Sequence, residues 1–278
     1  MEIEKDNLER LEKSQQNRGF GEQLAGQLET NMREGKPEFS LEAYTDFGED
    51  QMGFRLNYRK DNNKDYYYFN SIDAALLKNA DAPGEVREHR FYADQRVTDQ
   101  EMYQMLKYGN QVSVLKTLYS KEDKPYDAWI TLDLNEKDQQ GNYLIIHSYD
   151  NDFKQGQFVL ADELAALSPL VKELADRSQW EPIEKALKEA NLVPATISHN
   201  GAEIEGYLSV NPMYRRIDLL DGNLAVLERQ VAKVQQQDLP AQGQSNPPAQ
   251  RQDDLKKKPG QQPRMSWQKN NRSKGISR

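Results

Sequence analysis

Three histidines are the first residues in which a metal site or an acid–base catalyst would be sought. His89, His147 and His199 lie far apart in the chain and show no H-x-x-x-H spacing. A zinc site needs its ligands gathered, and a nucleophilic site needs a serine or carboxylate beside a histidine in a recognisable turn. Neither pattern is present, and there is no cysteine to supply a thiolate. We therefore expect no enzyme activity, no metal site and no cofactor.

Three short strings match chemical motifs only in part. "DFG" at residues 46–48 occurs without a glycine-rich loop or an H-R-D string, and "GFGEQL" at residues 19–24 lacks the third glycine of a dinucleotide fingerprint. "DLNEKDQQG" at residues 133–141 misses the spacing of a calcium loop. We interpret them as a loop, the start of a helix and a solvated hairpin loop.

Consecutive tyrosines offer a second candidate surface. Residues 66–68 are all tyrosine, and Arg55 and Arg59 occur on the preceding predicted strand. Aromatic and basic side chains together can form a platform for nucleic acid. Tyrosine is also a favoured strand residue that packs its ring and leaves its hydroxyl in water. Because the neighbourhood is acidic, we favour the packing interpretation.

The C-terminal end carries the strongest functional signal. The whole chain has a formal net charge of −8, yet residues 251–278 contain nine Lys or Arg against two Asp, a net of +7, so the rest carries −15. Basic side chains release counterions from nucleic acid, and a tryptophan can stack on a base. The alternatives are a solubilising tail, or one that folds back on the acidic body. The candidate nucleic-acid-binding residues are Arg251, Lys256, Lys257, Lys258, Arg264, Trp267, Lys269, Arg272, Lys274 and Arg278.

The elements that would position these residues begin with helices and a hairpin. A charged helix is expected from about residue 3 to residue 16. A second helix carries an apolar stripe at four-residue steps and ends near Gly35, because Pro37 cannot continue it. The stripe consists of Phe20, Leu24, Leu28 and Met32. Residues 52–70 alternate around a polar loop and predict a β-hairpin, and residues 79–97 predict a connector with a short strand near Phe91.

A second set of elements follows. Thr98 and Glu101 have the spacing of a capping box, as do Ser178 and Glu181 before a later helix. Residues 127–149 predict a hairpin with one buried face, formed by Ala128, Ile130, Leu132 and Leu134. Tight turns at Asn200-Gly201, Asn211-Pro212 and Asp221-Gly222 predict a C-terminal antiparallel meander. The fold class is therefore α+β, with short helices, antiparallel hairpins and a C-terminal β-meander, followed by a disordered basic tail.

Composition divides the chain into three regions. We expect an N-terminal helical and hairpin unit at 1–95, an α+β core unit at 96–232 and a disordered tail at 233–278. The tail is rich in Gln and Pro and almost free of large apolar residues, so it cannot bury enough surface to offset its ordering entropy. The absence of a signal peptide, a long apolar run and cysteine predicts a cytoplasmic protein without membrane contact.

Four strings carry a resemblance to a known family. They are "EGKPEFSL", "YYYFNS", "KPYDAWITLDLNEKDQQGNYLI" and "VNPMYRRIDLLDGN". Over about residues 18–230 the chain resembles hypothetical proteins with domains of unknown function. Those proteins are encoded on conjugative transposons and mobilisable elements of anaerobic gut bacteria, and most of them end in a Gln/Lys-rich tail. The chain departs from the family's pattern at Asn110, where relatives carry an arginine after the glycine that ends the helix.

Two hypotheses on function follow. The resemblance implies an accessory protein of a mobile genetic element, with a body that docks a protein partner of the element's DNA-processing machinery and a basic tail that contacts nucleic acid. The alternative is an acidic decoy that binds and inhibits a DNA-binding host defence protein, because an acidic body attracts basic partners. A continuous acidic stripe on the folded body would favour the decoy, and scattered carboxylates would favour the accessory protein.

Overall fold

The computed structural model describes residues 5–21, 24–149 and 158–228. Five helices and ten strands lie in these ranges, and the strands form three antiparallel sheets. The α+β class with short helices, hairpins and a C-terminal meander is confirmed. The tail expected at residues 233–278 lies outside the described residues. The boundaries are α1 Lys5–Gln16, α2 Ala25–Arg33, β1 Glu38–Phe47, β2 Asp50–Lys60, β3 Tyr67–Lys78, β4 Arg87–Tyr92, α3 Asp99–Tyr108, β5 Val114–Tyr119, β6 Pro125–Lys137, β7 Tyr143–Tyr149, α4 Leu160–Leu167, α5 Trp180–Lys188, β8 Val193–His199, β9 Ala202–Asn211 and β10 Arg216–Asp221.

The first sheet is a meander in the order β1-β2-β3-β4. Strand β1 is absent from the sequence-based prediction, which placed residues 46–48 in a loop. Asp46 and Phe47 instead belong to β1, and only Gly48 and Glu49 turn the chain into β2. Gly48 has φ of +63°, which allows this tight turn because glycine has no Cβ. The first sheet therefore has four strands rather than a hairpin and a short connector strand.

One face of the first sheet packs against α1, α2 and α3. All four side chains of the predicted apolar stripe are buried in the first core, but only Leu28 and Met32 lie on α2, because the helix begins at Ala25 rather than near Phe20. The capping box at the start of α3 is also confirmed. The Thr98 backbone N–H donates to the Glu101 carboxylate at 2.8 Å, and the Glu101 N–H donates to Thr98 Oγ1 at 3.3 Å. These helices cover one face of the sheet and leave its other face to solvent.

A buried carboxylate joins α3 to the start of β2. Asp50 accepts hydrogen bonds from the Ala80 N–H at 2.6 Å, Tyr103 Oη at 2.8 Å and Lys107 Nζ at 2.7 Å. Lys107 also reaches Asp81 at 3.1 Å. Burial alone would raise the pKa of Asp50, but these donors outweigh burial and lower it. The carboxylate is thereby kept charged at the end of the first sheet.

The second sheet, β5-β6-β7, is buried on both sides of its central strand. Ala128, Ile130 and Leu132 enter the first hydrophobic core as predicted. Trp129 packs into a second core, and Thr131 is only 8% exposed with its hydroxyl 2.6 Å from Ser113 Oγ. The expectation of one buried face was therefore wrong. The opposite face is covered because the chain places a second layer over it.

That second layer consists of α4, α5 and the third sheet. The meander β8-β9-β10 is confirmed, and both Asn200 and Gly201 have the positive φ that a tight hairpin turn requires. Asp221-Gly222 leads to a bridge between Leu220 and Val226 rather than to another strand within the described residues. The second predicted capping box is wrong, since α5 begins at Trp180 with no side-chain cap.

The first core crosses the boundary predicted between residues 95 and 96. It combines residues of the first sheet with Met102 and Leu106 of α3 and with Val114 and Ile130 of the second sheet. The division into units at 1–95 and 96–232 stays a prediction about folding units.

Candidate protein-docking site

The three histidines belong to three different sheets. His89 lies on β4, His147 on β7 and His199 on β8. The described residues contain no cluster of His, Asp and Glu that could hold a metal ion. His89 is only 4% exposed, and neither ring nitrogen has a hydrogen-bond partner within the described part of the chain. Burial lowers its pKa to about 4, so the ring is a neutral core residue packed edge-on against Phe91.

The ten candidate nucleic-acid-binding residues of the tail, Arg251 to Arg278, lie outside the described residues. The tyrosine cluster is described and divides between the two faces of β3. Tyr67 is buried in the first core and donates from its hydroxyl to the Lys36 carbonyl at 2.9 Å. Tyr68 is partly exposed, pairs across the sheet with Arg59, and contacts Tyr66 edge-on. The packing interpretation is confirmed for Tyr67.

The outer face of the first sheet, opposite the helices, carries a cavity. Its volume is about 510 Å³. The floor is apolar because Gly53 and Ala75 carry no large side chain, and the side chains of Tyr44 and Leu77 lie next to them. A Cβ at Gly53 would lie 2.9 Å from Leu77 Cδ1 and 3.3 Å from Tyr44 Cε1, so the two side chains close over the glycine. Tyr44 is 62% exposed. An uncovered aromatic ring beside a concave floor is suited to a partner's apolar side chain.

Two ion pairs border this floor, and each contributes one positive and one negative side chain. Arg90 holds Asp73 through two bonds, Nε to Oδ1 at 2.5 Å and Nη2 to Oδ2 at 3.0 Å. Partial burial would raise the pKa of Asp73, but the bonds from Arg90 and Asn57 outweigh it and lower the pKa. Arg55 lies 3.3 Å from Glu42. The cavity therefore combines an apolar floor with fixed charges of both signs.

The loop between β6 and β7 forms the far wall of the cavity. Asp138 Oδ1 accepts the backbone N–H groups of Gln140 and Asn142 at 2.8 and 2.9 Å, which fixes the turn. Asn142 Oδ1 then accepts the Arg90 N–H at 3.1 Å. The hairpin loop predicted at residues 133–141 is therefore shorter than expected, since β6 continues to Lys137, and its remaining turn closes the β4 side of the first sheet.

Sequence reasoning missed this site because it missed β1. A signal was present: Phe39, Leu41 and Ala43 alternate with polar residues, as in a half-buried strand.

In comparisons with known proteins, no family model, curated protein or solved structure matches the chain. The relation to mobile-element proteins stays a prediction. Within the described residues, no helix is long and apolar enough to cross a membrane.

Proposed function

We propose that the protein is a non-enzymatic accessory protein of a mobile genetic element. The outer face of its first sheet docks a protein partner of the element's DNA-processing machinery, and its basic tail contacts nucleic acid. The observation that carries the proposal is the uncovered cavity of about 510 Å³, with its exposed Tyr44 and its bordering ion pairs. An apolar centre within a charged rim is the usual composition of a protein interface.

The distribution of charge favours this proposal over the acidic decoy. On the outer face Glu42 is next to Arg55, and Asp73 is next to Arg90. Ion pairs also occur on helices, for example between Lys188 and Glu184 on α5. Glu42 and Asp73 on the outer face and Glu184 on α5 are therefore each paired with a cation. A decoy that imitates the phosphates of DNA needs a continuous acidic surface.

Photocrosslinking tests the docking half of the proposal. A benzoylphenylalanine at Tyr44 should capture a partner in cells that carry the element, and the product should survive nuclease treatment. The matched control carries benzoylphenylalanine in place of Tyr214, which is 67% exposed at the turn between β9 and β10. Gly53→Val, which fills the floor of the cavity, should reduce capture at Tyr44. Equal capture at both positions, or no response to Gly53→Val, would contradict docking at this cavity.

A labelled single-stranded oligonucleotide tests the tail. The full chain should bind it, and a chain lacking residues 251–278 should not. If about five of the nine cations engage phosphates, log K should fall with log salt at a slope near −3.5. Trp267→Ala should weaken binding by about 1–3 kcal/mol if a base stacks on the ring. Coincident titrations of the full and shortened chains would show that the tail does not bind nucleic acid.

A further inference from the structure

The edge of β1 that faces away from β2 pairs with no other strand among the described residues. The Lys60 N–H donates to the Pro37 carbonyl at 2.8 Å, which makes residues 37 and 60 a hydrogen-bonded pair. Such pairs alternate along an antiparallel ladder, so the odd-numbered residues of β1 bond to β2 and the even-numbered residues point outward. Among the described residues, no hydrogen bond uses these outward backbone groups. They belong to Glu38, Ser40, Glu42, Tyr44 and Asp46.

Three other strand edges in the same molecule each carry a side-chain acceptor on an outward N–H group. On β4, Asn142 accepts the Arg90 N–H. On β8, the Glu173 carboxylate accepts the Thr196 N–H at 2.9 and 3.0 Å. On β10, the Glu163 carboxylate accepts the Ile217 N–H at 3.1 Å. An uncapped edge is a template for a further strand, and proteins usually protect such edges. Within the described residues, the ten-residue edge of β1 differs from these three edges because no such acceptor lies on it.

Charge along this edge disfavours several of the registers in which a second copy of the chain could pair. Glu38, Glu42 and Asp46 are four residues apart and exposed on the same outer face. An antiparallel copy centred on Glu42 would place that residue opposite itself and Glu38 opposite Asp46. Centring the copy on Ser40 or Tyr44 also sets carboxylates against each other, whereas centring it on Leu41 or Ala43 places Glu42 opposite Ser40 or Tyr44 and leaves the basic segments of a partner as the pairing that neutralises all three carboxylates. Like charges directly opposite destabilise a strand pair, whereas opposite charges stabilise it.

We propose that β1 binds an extended basic segment of the partner protein as an additional antiparallel strand. This inference rests on the proposed docking function and names the chemistry of the docked segment. Lysine or arginine at every fourth residue would lie opposite Glu38, Glu42 and Asp46. An apolar residue between two of them would lie opposite Tyr44, at the rim of the cavity. Backbone bonds to the edge supply affinity, and the alternate side chains supply specificity.

The existing ion pair at Glu42 does not block this arrangement. Arg55 and Glu42 are both more than half exposed, at 58% and 53%, and their closest atoms are 3.3 Å apart. Exposed pairs of this kind contribute little and exchange readily with water. A lysine from an added strand can therefore share the carboxylate.

The probe is a nine-residue peptide, KTFTKTSTK, fluorescently labelled and titrated into the full chain. In antiparallel register its lysines oppose the three carboxylates and its phenylalanine opposes Tyr44. Binding should protect the Glu42 and Tyr44 amides from hydrogen exchange. Two control peptides separate charge from backbone pairing: one replaces the lysines with glutamate, and the other carries N-methyl groups at its third, fifth and seventh residues. Both should bind roughly tenfold more weakly or not at all.

A matched pair of variants at Ser40 tests the edge itself. Ser40→Pro removes an outward N–H and places a ring on the edge, but it leaves the bonds between β1 and β2 in place. Ser40→Ala keeps the N–H and removes only the hydroxyl that donates to Asn57 Oδ1 at 2.8 Å. Ser40→Pro should weaken the probe about tenfold, and Ser40→Ala should leave binding within about twofold. Unchanged melting temperatures and a retained circular-dichroism spectrum would show that both variants are folded.

Several results would overturn the inference. They are no binding of the lysine probe to the wild-type chain, equal binding of the N-methylated probe, and equal binding to Ser40→Pro. A shift to a dimer that depends on Ser40 would instead assign the edge to a second copy. If these tests fail while nuclease-resistant crosslinking at Tyr44 persists, only the strand-addition inference is wrong. If crosslinking also fails, the proposed docking function is wrong.

Discussion

His89 should make the stability of this protein depend on pH in a range where most carboxylates do not titrate. The ring is 4% exposed, and burial lowers its pKa to about 4 against an ordinary value of 6.5. The charge of Asp138 acts in the opposite direction and is outweighed. The unfolded chain therefore binds a proton below about pH 6.5 that the folded chain accepts only near pH 4. Stability must fall as the pH is lowered through that window.

The size of the effect follows from the two pKa values. Complete titration across a gap of 2.5 pKa units corresponds to roughly 3 kcal/mol. Between pH 7 and pH 5 the wild type should lose about 2 kcal/mol through this histidine alone. His89→Leu removes the titrating group and keeps an apolar side chain of similar size against Phe91. The free energy of unfolding of the variant relative to the wild type should therefore rise by about 2 kcal/mol as the pH is lowered from 7 to 5.

Urea unfolding at pH 7, 6 and 5 measures this difference. The control is Phe91→Leu, which alters the same contact without a titratable group. Its stability relative to the wild type should change by a similar amount at each pH. If the gap between His89→Leu and the wild type is the same at pH 7 and pH 5, His89 is not a buried neutral ring. The placement of the His89 side chain in the core would then be wrong.

Two further substitutions, the first with a control, test the contact between α3 and β2 and the packing of the third sheet. Lys107→Met leaves buried Asp50 with two of its three donors and should destabilise the fold by about 3 kcal/mol in thermal unfolding. The control is Lys124→Met, since Lys124 and Glu122 form an ion pair whose side chains are 76% and 74% exposed. It should change stability by less than about 1 kcal/mol. Equal losses of stability for Lys107→Met and Lys124→Met would contradict this reasoning. Gly206→Ala would place a Cβ 2.1 Å from the Leu220 carbonyl oxygen, so the strands of the third sheet must move apart. The variant should therefore lose about 1–3 kcal/mol or more of its free energy of unfolding, measured by chemical denaturation. A neutral effect there would show that β9 and β10 are further apart.

The parts of the fold that were predictable from the sequence depend on local chemistry. The capping box of Thr98 and Glu101 satisfies backbone donors within three residues, and Asn200-Gly201 sets its own turn. Ser178 failed as a cap because its N–H donates to Asp176 Oδ1 at 2.9 Å in a separate turn, two residues before α5 begins. Such competition between neighbouring caps is decided by geometry that residue spacing does not contain.

The missed features depend on contacts between distant segments. Trp129 and Thr131 read as the solvent side of a hairpin until α4, α5 and the third sheet cover them. The docking site needs the register of three strands, because Tyr44, Gly53 and Leu77 meet only when β1, β2 and β3 are paired. The alternation of β1 was visible, but its role as an open edge was not. An edge is defined by what fails to pair with it, and no local pattern records that.

The three carboxylates on β1 could serve only to prevent aggregation, and their sign distinguishes that role from recognition. Protection of an edge works with charge of either sign, and lysine is the residue proteins use most often for it. Replacing Glu38, Glu42 and Asp46 with lysine together should therefore leave the oligomeric state in sedimentation unchanged. Recognition depends on sign, so the same variant should lose the lysine probe and bind its glutamate counterpart. If the lysine variant keeps the preference of the wild type, the carboxylates protect the edge and do not select the strand that binds there.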